Sequence, residues 1–155
     1  MARFRLHEDA PKWFKNISGE PFKTDFDQYY FCLMAGFASG RSNETAATVE
    51  KTDTFPEDYK EASRFLIGLL VMAELRNAGI DLSERDAVRD MFKRLVKPDS
   101  SNQLTDWGMR RLNAYASGGY DYLVEQREQK PQSNEELLRD YPQLIERAIA
   151  GNVAS

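Results

Sequence analysis

The sequence predicts an all-α fold: a single compact domain of about six to eight helices packed around a central buried helix at residues 56–78. Three observations carry that expectation. The one long apolar run, FLIGLLVMAEL at 65–75, is apolar around nearly the whole helical circumference, and such a helix is normally buried nearly all round. Most other apolar residues recur three and four apart, the spacing of one helix face. No stretch alternates β-branched residues, and no Asn-Gly or Asp-Gly dipeptide marks a hairpin.

The chain has 155 residues, 41% hydrophobic and 30% charged, with a net charge of −4. That is enough apolar material for one core, here assigned to residues 1–150. The composition is not that of a disordered chain. Proteins that coat nucleic acid are usually basic, so the acidic total counts against that role. A single cysteine, Cys32, excludes an intrachain disulfide and fits a reducing compartment. The first residues lack the apolar core of a secretory signal. The expectation is a cytoplasmic protein. The run at 65–75 is about half the roughly 20 apolar residues of a membrane span, so no membrane association is expected.

Residues 1–8 read as a short arm, with Phe4 and Leu6 alternating with Arg3 and Arg5. Asp9 and Pro11 open a short helix whose apolar face is Trp13, Phe14 and Ile17. A loop at 20–23 contains Pro21. Thr24 and Asp27 have capping-box spacing before a helix at 24–40. Phe26, Tyr30, Leu33 and Phe37 form its apolar face, and Gly40 is a stop signal. Gly36 and Gly40 make one side small, which predicts close helix packing. Residues 41–53 form a polar connection without apolar periodicity. It is expected to be a mobile loop with a helical turn at 44–49.

Thr54 and Glu57 read as the capping box of the central helix, with Pro56 in its first turn and Gly79 as its stop. Leu69 is expected to be deeply buried. Ser83 and Asp86 open the next helix, where Val88, Met91, Phe92, Leu95 and Val96 share a face. Pro98 ends it. A helix at 105–116 offers Trp107, Leu112 and Tyr115 to the core and turns Arg110 and Arg111 outward. Gly118-Gly119 interrupts it, and an apolar pattern resumes at Tyr120, Leu123 and Val124. Ser133 and Glu136 form a clear capping box for a last amphipathic helix, which Pro142 should kink or split. Residues 151–155 read as a frayed tail.

Chemistry is bounded by what is missing. One histidine, His7, and one cysteine cannot build a Cys/His zinc site or a nucleophile–histidine–carboxylate triad with an evident orienter. No Gly-rich phosphate loop and no EF-hand loop is present. The close carboxylate pairs, Asp81/Glu84, Glu135/Glu136 and Asp121/Glu125, lack a histidine partner and read as solvated charges. The expectation is a non-enzymatic protein with no catalytic residue, no metal and no cofactor.

The leading functional expectation is a helical accessory or interaction protein that presents a protein-binding helical face to a partner or to a second copy. Tyr115, Tyr120 and Tyr122, flanking the glycine pair, are the candidate partner-binding residues, since tyrosine is favoured at interfaces. The alternative is a DNA- or RNA-binding accessory subunit with a helix-turn-helix-like unit at residues 83–116. Its phosphate contacts would be Arg89, Lys93, Arg94, Lys97, Arg110 and Arg111. Glu84, Asp86, Asp90, Asp99 and Asp106 in the same window oppose it.

Overall fold

The computed structural model describes residues 2–19, 22 and 24–154. They are mostly helical, as the sequence predicts, with six α-helices and one two-stranded sheet among the described residues. The chain divides into two compact units. One comprises Met1–Phe4 and Glu50–Leu112; the other comprises Arg5–Val49 and Asn113–Ser155.

In the second of these, strand β1 (Arg5–His7) pairs with β2 (Thr48–Glu50). The arm is thus extended as expected, but 44–49 is not a helical turn. Two side chains hold this connection instead. Arg5 Nε donates to Thr48 Oγ1 at 2.8 Å, and Asn43 Oδ1 accepts the Thr45 N–H at 3.0 Å. Helix α1 (Ala10–Trp13) carries Pro11 in its first turn and buries Trp13. In the expected loop at 20–23, Phe22 is buried, while Glu20, Pro21 and Lys23 lie outside the described residues.

Helix α2 (Asp25–Ser39) has the ends its sequence announces. The Thr24 N–H donates to Asp27 Oδ2 at 2.9 Å, and Gly40 is left-handed with φ 73°. This helix, not 56–78, is the packing centre: it lies against helices α5 (Asp106–Gln126) and α6 (Asn134–Ala154). The contact with α5 is close. A Cβ on Gly36 would sit 1.9 Å from the Tyr115 carbonyl oxygen, and one on Gly119 would sit 1.7 Å from that of Cys32. Only residues without a side chain allow two helix backbones to touch there. The glycine pair therefore does not interrupt α5, which runs on unbroken through Gly118-Gly119.

Helix α6 starts at the predicted cap, where Ser133 Oγ accepts the Glu136 N–H at 3.1 Å. It contains Pro142, an exposed residue, without a break. The Tyr141 hydroxyl donates to the Phe31 carbonyl at 2.8 Å, and Asn152 Nδ2 donates to the Ala38 carbonyl at 3.2 Å. Residues 151–154 are helical where a frayed tail was expected over 151–155, Ser155 lying outside the described residues.

In the other unit, Phe4 meets Phe55 edge to ring at 4.9 Å. Glu57–Tyr59 forms a 3-10 turn, and helix α3 (Ser63–Asn77) begins several residues later than the sequence implies. The Ser63 hydroxyl donates to the Lys60 carbonyl at 2.7 Å, which closes the turn before the helix. Gly79 ends α3 with φ 70°, and the Ile80 N–H reaches back to the Leu75 carbonyl at 2.9 Å, a Schellman stop. Leu66, Leu70 and Leu75 are buried, Leu69 is half-buried, and Phe65 and Met72 are exposed. The helix expected to be buried all round covers only one side of itself.

Helix α4 (Arg85–Leu95) buries only Leu95. The connection to α5 is knit by Asn102, whose Nδ2 donates to the Asp53 carbonyl at 3.0 Å and whose Oδ1 accepts the Leu104 N–H at 3.0 Å. Thr105 Oγ1 accepts the Gly108 N–H at 2.9 Å and caps α5.

Candidate functional site

Helices α3 and α4 leave a groove of about 570 Å³ between them. Ile67, Val71 and Val96 form part of its apolar wall, and Gly68 lies on it with no side chain. Met72 and Phe92 line it while 49% and 47% exposed, and Phe65, one turn before Gly68 on α3, is 61% exposed. A scattered apolar residue on a surface needs no explanation, but Met72 and Phe92 exposed together on one concavity are the pattern of a binding surface. Arg64 is the one charged residue among the described lining.

These residues were not singled out from the sequence. A signal was present: Phe65, Gly68 and Met72 fall at i, i+3 and i+7, on the face away from Leu66 and Leu70.

The three tyrosines proposed for partner binding are buried, and this corrects that assignment. Tyr115 packs its ring 5.3 Å from that of Phe37, and Tyr120 lies 4.3 Å from the His7 ring. The Tyr122 hydroxyl donates to the Leu144 carbonyl at 2.8 Å. Burial pushes the Tyr120 hydroxyl up to about 12 and raises that of Tyr122. They face inward because α5 runs straight through the glycines and is packed on by α2 and α6.

Of the six basic residues proposed for phosphate contact, Arg111 is not on the surface. Arg111 is buried, not outward: its Nε donates to Glu74 Oε1 at 2.6 Å and its Nη2 to Oε2 at 3.1 Å. Arg94 and Arg110 lie over the Trp107 ring at 4.4 and 5.5 Å. Arg89 is 3.8 Å from Asp86. Lys93 and Lys97 are exposed. The connection between α4 and α5 spans residues 96–105, longer than the 3–4 residue turn of a helix-turn-helix.

Two polar clusters lie in the other unit. His7 Nδ1 accepts the Asp9 N–H at 3.1 Å while Nε2 stands 3.9 Å from Asp121 Oδ1. Asp121 Oδ2 accepts from Asn43 at 2.8 Å. Nδ1 is thus engaged by the backbone, while Nε2 lies beyond hydrogen-bond distance of the Asp121 carboxylate. A cleft of about 350 Å³ holds Arg41 and Arg147. It lies where α2 and α5 end, and guanidinium groups are favoured beside helix C-termini. Arg41 is held there by Glu125, and Arg147 donates to Gln126 at 3.2 Å. The Cys32 thiol is buried and its ionisation pushed up by that burial. Among the described residues, no group of three or more His, Cys, Asp or Glu could hold a metal ion.

No described helix is long and apolar enough to cross a membrane. Comparison with family models, with curated proteins and with solved structures gives no match to this chain.

Proposed function

We propose that this is a non-enzymatic cytoplasmic interaction protein, and that a protein partner docks on the groove between α3 and α4. The observation that carries the reading is the exposure of Met72 and Phe92 on one apolar concavity, with Phe65 exposed on the same helix as Met72. Leaving such surface in water forgoes roughly 25 cal/mol per Å², so an occupant that covers it gains affinity. The nucleic-acid reading has less support, because Arg94, Arg110 and Arg111 are engaged within their own unit.

Photo-crosslinking in the cells that make the protein tests this. A photoreactive phenylalanine at 65, 72 or 92 should give one discrete adduct. The same group at Val153, exposed on α6, should not. A Phe65→Ser, Met72→Ser, Phe92→Ser variant with a photoreactive group at 96 should lose the adduct and keep its melting temperature. Equal adducts from Val153, or none from the groove, would refute the reading.

A further inference from the structure

We infer that His7 is an acid-released latch: a second proton on its imidazole frees the turn that leads from β1 into α1 and carries the ring toward Asp121 on α5.

The neutral ring is held in one tautomer. Nδ1 accepts the Asp9 N–H at 3.1 Å, so the ring's own proton sits on Nε2. That nitrogen stands 3.9 Å from Asp121 Oδ1, while the ring lies 4.3 Å from that of Tyr120. An acceptor two residues before the N–H it binds plays the part of asparagine in an Asx turn. The turn it closes holds its neighbours. The Asp9 carbonyl accepts the Lys12 and Trp13 N–H groups, each at 3.2 Å, and so starts α1, which buries Trp13. The Glu8 N–H donates to the Ala47 carbonyl at 2.9 Å, which ties the same turn to the residue before β2.

Imidazolium carries an N–H on both nitrogens. Protonation therefore turns Nδ1 from an acceptor into a donor that faces the Asp9 N–H, and that bond is lost. The surrounding charges decide where the ring goes. Helix α5 presents Asp121 and Tyr120, and the ring's own turn carries Glu8 and Asp9. Helix α2 contributes the Cys32 thiol, which acts on Tyr120, and Arg41 acts on Asp121. Arg5 on β1 is turned to Thr48. Glu8 and Asp9 are exposed and Asp121 is partly covered, so the attraction of Asp121 is the least screened. Its other oxygen accepts from Asn43 Nδ2 at 2.8 Å, which holds the carboxylate in place. A charge-assisted N–H···O contact is roughly 2.8 Å long, so about 1 Å of ring movement reaches it. Histidine is the side chain whose charge changes between about pH 5 and 8, and the chain has one.

The test is nuclear magnetic resonance of the full-length, nitrogen-15-labelled protein, titrated from about pH 8 to about pH 5. At the high end the imidazole nitrogen shifts should report the Nε2–H tautomer. With the midpoint of the His7 ring, the Asp9 amide should move. Its hydrogen exchange, corrected for intrinsic pH dependence, should rise about tenfold, the equivalent of one hydrogen bond. The Trp13 indole N–H should move with it. His7→Asn keeps an acceptor for the Asp9 N–H and cannot titrate, so Asp9 and Trp13 should stay flat over the same range. Asp121→Asn removes the destination: Asp9 should still be released, while the Asn43 side-chain amide, which moves with Asp121 in the parent, should stay still. An Nδ1–H tautomer at the high end, an Asp9 amide that does not follow His7, or a Trp13 shift that survives in His7→Asn would overturn the latch. An Asn43 signal that still moves in Asp121→Asn would overturn the ring's destination.

Discussion

Gly119→Ala tests the packing centre, because the structure assigns it an effect opposite to what helix propensity predicts. In an exposed helix the change would stabilise by about 1 kcal/mol. Here the new Cβ would sit 1.7 Å from the Cys32 oxygen and 2.5 Å from the Gly36 nitrogen. Both are backbone atoms, so no side chain can rotate away. Restoring contact distance requires α2 and α5 to part by roughly 1.5 Å, and close-packed cores resist such shifts. That movement would loosen Leu33, Tyr115 and Leu123, all buried. Overpacking of this kind costs about 3 kcal/mol or more, leaving a net loss of roughly 2 kcal/mol after the propensity gain. In a chain of this size that lowers Tm by about 4–8 °C. Gly68→Ala, the same chemical change in open space, should raise Tm by about 2 °C. Thermal and urea denaturation followed by far-ultraviolet circular dichroism reads both. A Gly119→Ala protein as stable as its parent would refute the close α2–α5 crossing.

The buried pair Glu74–Arg111 makes a second prediction. Arg111→Met alone strands a buried carboxylate and should cost about 3–5 kcal/mol, while adding Glu74→Leu should recover most of it. A urea double-mutant cycle measures this, and a single-variant loss below about 1 kcal/mol would contradict burial of the pair. The tyrosines make a third. Burial raises the ionisation of Tyr29, Tyr120 and Tyr141, Tyr120 to about 12. A raised pKa means the fold holds the neutral phenol. Their contribution to stability is therefore intact below about pH 10, where unfolded tyrosine ionises, and is lost as pH rises from there through 12. Spectrophotometric titration of the native protein should leave part of the tyrosinate signal unformed until the chain unfolds. All seven tyrosines ionising together near pH 10 without unfolding would refute it.

What the sequence made legible was local chemistry. The Thr24–Asp27 pair, Gly40, Gly79 and Ser133 act within a turn of their own position, and each does what its residue type predicts. What stayed hidden depended on residues far along the chain. Arg111 reads as a solvated cation until Glu74, 37 residues away, is found beside it. Residues 48–50 read as loop because their partner strand lies at 5–7. Gly118-Gly119 reads as a break because propensity favours that, whereas the backbones of Cys32, Arg41 and Ser42 occupy the space its side chains would need. The same logic separates the two sides of α3. An apolar circumference says only that water is unwelcome; it does not say what covers each side. Leu66, Leu70 and Leu75 are covered by the chain itself. Phe65, Gly68 and Met72 are not: that side of the helix is left to solvent by the chain, and periodicity alone could not tell it from the covered side.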